Sequence, residues 1–279
     1  MAVKSFILAC DGGGIRGLAT AAVLATIEDR LQRINPGKPL HDYFDLIAGT
    51  STGSIVACGL SSGLTARQIL DLYLRDGIKI FPPFKKVLKS LVDRLRIGYS
   101  QPIYQAGYED KTNPHGVEPV LQRVFSDPQG KGLLKFGDLE KPTLVTSYDT
   151  YNQQFVVFKS RSSECKEIDV WEVARASSAA PVAFPAYELS NKTFIDFWKA
   201  QGFQTIPSRS GEDCIPLIDG GLSANNPALC ALVERLSWSH DRIPIEEIAI
   251  LSIGTGDVTP FIGPVLMRVG GHGHAAAPC

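Results

Sequence analysis

Ser51 stands in Gly49-Thr50-Ser51-Thr52-Gly53, between an apolar run at 44–48 and a helix-compatible run at 54–60. That is a Gly-x-Ser-x-Gly pattern at a strand-to-helix turn, where the hydroxyl is presented as a nucleophile. Gly49 and Gly53 would let neighbouring backbone approach the turn. The pattern recurs as Gly59-Leu60-Ser61-Ser62-Gly63. No strand leads into that copy, which reads as the end of the preceding helix, with Thr65 capping the next. Ser54 is a weaker competitor because it would lie inside the helix.

A second cluster is Asp11-Gly12-Gly13-Gly14-Ile15-Arg16-Gly17, between an apolar strand at 5–10 and a helix at 15–33. Backbone N–H groups at such a helix start form an anion site. Three adjacent glycines exceed what a tight turn needs. The cluster also fits the dinucleotide pattern Gly-x-Gly-x-x-Gly. That fingerprint wants an acid about 20 residues later, at the end of the second strand. Asp42 and Asp45 fall before or at the start of that strand, and Asp11 would sit beside a pyrophosphate. Arg16, in the first turn, opposes the helix dipole. It could point to solvent, pair with Asp11 or face an anionic group. The third cluster, Ile218-Asp219-Gly220-Gly221, closes a short apolar strand at 216–218. Sites collect at strand ends in parallel sheets, although an Asp-Gly-Gly alone is as often a turn.

Together these residues could perform acyl transfer, with Ser51 attacking a carbonyl, a base removing its proton and N–H groups holding the oxyanion. An ordinary aspartate, with a pKa of about 3.9, is a poor base for a hydroxyl. The helix N-terminus behind Ser51 would have to assist. A triad in the order serine, acid, histidine would need His240, His272 or His274, while His41 and His115 precede Asp219. None stands in a convincing site, and each reads as a surface residue. Ser177 and Ser178, within the small-residue run 176–180, read as a segment packed closely against the site.

The elements that must position these residues alternate. Besides those above, a helix is expected at 65–75, strands at 143–147 and 154–158, a helix at 170–176, a helix at 227–236 and a strand at 248–253. This pattern predicts an α/β layered domain with a largely parallel sheet. A chain of 279 residues, 44% hydrophobic and 20% charged, can bury a sizeable core. A formal charge of −1 argues against a nucleic-acid partner. The six cysteines show no metal-ligand or disulfide spacing, and a reducing, cytoplasmic setting fits them. The apolar N-terminal stretch is too short for a signal peptide. Residues 46–64 carry no charge, but their Gly, Ser and Thr content reads as strand, turn and helix rather than a membrane span. No acidic cluster resembles a calcium loop, so neither metal nor cofactor is expected.

DGGGIRG, GTSTG and DGG in this order resemble the patatin-like phospholipase family. The resemblance extends to YFDLIAGTSTG at 43–53, ARASSAAPVAFP at 174–185 and ILSIGTG at 250–256. It implies a three-layer α/β fold, a largely parallel central sheet flanked by helices, and a Ser–Asp dyad without histidine, with Ser51 as nucleophile and Asp219 as its partner. It also implies an oxyanion region of Gly12, Gly13, Gly14 and Arg16. The expected domain runs over 1–259. Residues 260–279 read as an irregular tail or a truncated continuation, where such chains usually pass into further helices.

The substrate implied is a phospholipid or other acyl lipid, with peripheral contact to a membrane or micelle surface. Phe84, Val87, Leu88, Leu91, Val92 and Leu95 recur at helical spacing, with Lys85, Lys86, Lys89, Arg94 and Arg96 between them. Such a face either lies on an anionic surface or packs on the core. Two other classes compete. One is a phosphotransferase of the actin and sugar-kinase type, using DGGG as a phosphate loop; nucleotide-stabilised melting would reveal it. The other is a non-catalytic effector or storage protein that retains the fold.

Overall fold

The computed structural model describes residues 3–80, 116–127, 130, 132–181 and 183–256. The basic segment 84–96, His115, His272, His274 and the tail 260–279 lie outside them. In chain order the strands are β1 (Ser5–Cys10), β2 (Leu46–Thr50), β3 (Thr143–Asp149), β4 (Gln154–Lys159), β5 (Tyr187–Leu189), β6 (Ile206–Pro207), β7 (Asp213–Asp219) and β8 (Ile248–Ile253). The helices are α1 (Gly17–Ile34), α2 (Thr52–Ser61), α3 (Ala66–Ile80), α4 (Val117–Val124), α5 (Val170–Ser177), α6 (Lys192–Ala200), the one-turn α7 (Gly221–Ala224) and α8 (Ala228–Ser237).

The strands form one sheet in the order β5-β7-β3-β2-β1-β8, with β4 also pairing β3 and β6 also pairing β7. Pairing is parallel from β8 through β1 and β2 to β3. Beyond β3 it is antiparallel: β4 and β7 both oppose β3, and β5 and β6 oppose β7. The expected parallel sheet is therefore the part from β3 to the edge strand β8. The strand carrying Asp219 arrives from the opposite direction to the one carrying Ser51.

Helices cover both faces. Leu8 and Cys10 of β1 and Ile47 of β2 pack with Ala21, Leu24 and Ala25 of α1. On the other face Ile7, Leu46 and Leu144 meet Ala231 of α8. Near β3 and β7, Val145 and Leu217 join Val173 of α5, Leu121 of α4 and Phe194 of α6. All five residues of β2 are buried, which explains a continuous apolar run in place of alternation. All ten residues of α2 are buried as well. An enclosed helix must be apolar all round, and that is why residues 46–64 lack charge. Among the described residues, no helix is long and apolar enough to cross a membrane.

The second serine pattern ends α2 as expected. Gly63 has φ +87°, and the Leu64 N–H donates to Gly59 O at 3.0 Å. Thr65 and Gln68 then exchange hydrogen bonds, Gln68 N–H to Thr65 Oγ1 at 3.1 Å and Thr65 N–H to Gln68 Oε1 at 2.8 Å. The five described cysteines are free thiols, and burial pushes Cys10 up to about 12.

Candidate active site

Ser51 follows β2 directly and is the N-cap of α2, with φ 55° and ψ −125°. Among the described residues only Gln153 shares a positive φ without being glycine. The turn is this sharp because α2 folds back over the strands that precede it. A Cβ on Gly49 would lie 2.2 Å from Gly53 O, and one on Gly53 would lie 2.1 Å from Cys10 O. Both expected glycines are thus required by close backbone approach, at ordinary φ. Ser54 lies within α2 and donates to Ser51 O at 2.6 Å. Ser61 is fully buried at the far end of the helix.

Asp219 is the last residue of β7 and pairs with Ser147 of β3, while Thr50, beside Ser51, pairs with Thr146. β4 fills one edge of β3 along 144–149, so β2 and β7 meet end to end on the other edge, and Ser51 and Asp219 come together at that junction. Ser51 Oγ donates to Asp219 Oδ2 at 2.6 Å. The other carboxylate oxygen, Oδ1, accepts the Gly221 N–H at 2.7 Å, which fixes the orientation of the carboxylate. Each side of the pair retains only 7% of its surface. Burial raises the pKa of Asp219 from its ordinary value, against the lowering effect of the bonds from Ser51 and Gly221. A buried carboxylate of raised pKa is a better base than a solvated one, which meets the difficulty posed by aspartate in place of histidine.

The glycine loop lies beside Ser51. A Cβ on Gly12 would be 3.1 Å from Ser51 Cβ. The Gly12 N–H is already given to Asn225 O at 3.0 Å. Gly13 and Gly14 line the cavity, and among the described residues their N–H groups have no partner. Arg16 takes neither of the charged dispositions open to it: Nη1 donates to Gly256 O at 3.1 Å and Nε to Gly13 O at 3.4 Å. Gly12 and Arg16 thus brace the loop, while Gly13 and Gly14 carry its free donors. Asp11 has one carboxylate oxygen buried without a hydrogen bond among the described residues, and burial raises its pKa.

The pair opens into a cavity of about 430 Å3 whose wall includes Ile55, Ile80, Val117, Ala183, Phe184 and Leu222. An apolar pocket with a nucleophile at one end suits a hydrocarbon chain. A larger cavity, about 590 Å3, lies at the other end of the sheet beside Leu46, Lys159 and Trp238, and contains none of these groups. Among the described histidines, His240 borders that distant cavity, stacked on Trp238. His41, expected at the surface, is buried and lies 2.9 Å from Glu140. Neither lines the cavity at Ser51. No group of three or more His, Cys, Asp or Glu suited to a metal occurs among the described residues.

Three residues escaped the sequence reading as parts of the site. Ser177 Oγ accepts the Ser51 N–H at 2.8 Å, while Ser177 O and Ala179 O accept the N–H groups of Gly220 and Asp219. The small-residue run therefore does pack against the site and braces both partners. Asn225 and Thr255 contact the glycine loop. Nothing in spacing marks Asn225, and Thr255 stands within the ILSIGTG run at 250–256.

A family model described as patatin-like phospholipase matches residues 8–232. The chain is 32% identical over 278 residues to patatin-like protein 2 of Arabidopsis thaliana, covering 90% of this chain and 60% of that one. It is 36% identical over 258 residues to a cGAMP-activated phospholipase of Pseudomonas aeruginosa, covering 89% and 62%. A further relative, at 29% identity over 277 residues and covering 94% and 63%, is the probable inactive patatin-like protein 9 of Arabidopsis thaliana. The chain spans about three fifths of the length of these curated relatives.

Proposed function

Since this chain belongs to the patatin-like phospholipase family, we propose that it hydrolyses fatty-acyl esters of phospholipids or lysophospholipids through an acyl-enzyme on Ser51. The observation that carries this reading is the 2.6 Å bond from Ser51 Oγ to Asp219 Oδ2, made from a strained turn at the mouth of an apolar cavity. A family name alone is insufficient, because one relative is named probable inactive.

In this mechanism Ser51 Oγ attacks the ester carbonyl as its proton passes to Asp219 Oδ2. The carbonyl oxygen gains charge and is met by the N–H groups of Gly13 and Gly14, with the positive end of α2 behind. Collapse expels the alcohol, which takes the proton from Asp219. The acyl chain remains on Ser51, in the cavity toward Ile55 and Phe184. Water, activated by the same carboxylate, then releases the fatty acid and restores Ser51. The protein is proposed to work in the cytoplasm, reaching lipid at a membrane or micelle surface through the basic segment 84–96.

Labelling by a fluorophosphonate probe tests the reading, because only an activated serine reacts. Wild type should label and should release fatty acid from a phospholipid panel followed by mass spectrometry. Ser51→Ala and Asp219→Asn should each lose activity by orders of magnitude while keeping their circular dichroism and a cooperative melt. Ser61→Ala should stay active. An active Ser51→Ala would remove the reading. An unlabelled, well-folded wild type would favour the non-catalytic alternative.

A further inference from the structure

Gly12 is held at both ends of its backbone. Its N–H donates to Asn225 O at 3.0 Å. Its carbonyl accepts two hydrogen bonds, from Asn225 Nδ2 at 3.3 Å and from Thr255 Oγ1 at 3.3 Å. The Asn225 amide has only one orientation that suits this contact, because its own oxygen cannot donate to a carbonyl. Thr255 is buried, and a Cβ on Gly13 would lie 2.1 Å from its Oγ1. Both grips are anchored. Thr50 Oγ1 donates to Ala224 O at 2.8 Å, next to Asn225, and Thr20 Oγ1 donates to Gly254 O at 3.3 Å, next to Thr255.

The peptide joining Gly12 and Gly13 is planar and trans, since no cis bond occurs among the described residues. In such a unit the C=O of one residue and the N–H of the next point in opposite directions. Fixing Gly12 O therefore fixes the direction of the Gly13 N–H, which has no partner among the described residues and belongs to a residue lining the Ser51 cavity. Glycines have the freest backbone, and a loop of three would otherwise let this plane rotate. We propose that Asn225 and Thr255 are positioning residues that aim the Gly13 N–H at the developing oxyanion by gripping the far side of its peptide. The proposal rests on the acyl-hydrolase reading above.

An aimed donor acts mainly in the transition state, so its loss lowers kcat and leaves KM nearly unchanged. The test measures both constants on a soluble short-chain ester for Thr255→Val, Thr255→Ser, Asn225→Ala and the Thr255→Val/Asn225→Ala double variant. Thr255→Val keeps the shape and deletes only the hydroxyl. Its kcat should fall about tenfold or more, a part of the effect of deleting an oxyanion donor outright, with KM within twofold. Thr255→Ser, which returns the hydroxyl, should recover most of that loss. Either grip alone holds the plane in part, so the double variant should fall by more than the product of the single losses. Equal kcat for Thr255→Val and wild type, a loss confined to KM, or equal loss in Thr255→Ser would overturn the proposal. If the double variant fails to melt cooperatively, the Val and Ser pair decides alone. Absence of Ser51-dependent hydrolysis in wild type would instead remove the acyl-hydrolase reading, and this proposal with it.

Discussion

At the residue scale, Ser51 combines backbone strain with the role proposed for it. A non-glycine residue at φ 55°, ψ −125° costs of order 1 kcal/mol or more, which only glycine escapes. Ser51→Gly and Ser51→Ala should both be inactive, but the glycine variant should unfold about 1 kcal/mol later in urea. Equal stabilities would mean that the turn is not strained. Asp219 carries a related conflict. Its raised pKa means that the folded state holds the proton more tightly than the unfolded chain. Between the ordinary carboxylate value and the raised one, the native state binds more protons, so stability falls as pH rises through that window. Above it the ionised form is a standing cost. Asp219→Asn should therefore melt higher than wild type at pH 7, with the difference shrinking in acid. Activity needs the ionised form, so the acid limb of the pH–rate profile should lie above the ordinary range of an aspartate.

These two residues were legible in the sequence because their neighbours announced them. Ser51 sits between two glycines after an apolar run, and Asp219 stands before two more. Ser177, Asn225 and Thr255 were not legible as site residues. They act through single hydrogen bonds to backbone atoms distant in sequence, from Ser51 to Ser177 and from Thr255 to Gly12. Such bonds leave no periodicity, and a polar side chain in a loop carries no mark of what it faces. Gly12 shows the same limit from the other side: its type marks the loop, but which N–H is spent on Asn225 is a tertiary fact.

At the scale of elements, the tight junction of β1, β2 and α2 decides the geometry of the site. Gly53→Ala would place a methyl 2.1 Å from Cys10 O, a backbone atom that cannot move aside. A loss of about 2–3 kcal/mol in urea unfolding is expected, with labelling of Ser51 abolished. Gly59→Ala, on the same helix, meets Ile69 Cδ1 at 2.9 Å and Cγ1 at 3.1 Å, side-chain atoms rather than backbone. Alanine's helix propensity offsets that crowding, so this variant should stay within about 1 kcal/mol of wild type and keep its activity. Identical behaviour of the two variants would contradict this account. Long apolar strands such as β1 and β8 were readable to the residue. β2 lies two residues later than the apolar run alone implied, because Phe44 and Asp45 belong to the approach and Gly49 and Thr50 complete the pairing with β3. α6 went unread because its apolar Phe194, Ile195 and Trp198 are interleaved with Lys192, Asp196 and Lys199 over a short span. β5 and β6 are too short to show a pattern. Strand direction is not written in residue types at all, which is why the antiparallel arrival of β7 was missed.

At the scale of the molecule, a near-neutral net charge leaves electrostatic attraction to lipid to local clusters. Lys85, Lys86 and Lys89 form one such cluster in sequence, outside the described residues. Each basic residue near an anionic surface is worth about 1 kcal/mol. Changing all three to Glu should weaken cosedimentation with anionic liposomes at physiological salt, while hydrolysis of a soluble ester continues. Equal loss of both would mean that this segment supports the core instead.

The meeting of Ser51 and Asp219 at one edge of β3 also bears on the life of the chain before it is folded. The two residues are 168 positions apart, and β7 must reach β3 before the serine has a base. Such distant pairings close late, after local helices have formed. During synthesis the nucleophile thus emerges from the ribosome long before anything can activate it. If the proposed lipid hydrolysis holds, the chain cannot perform it while it is unfinished.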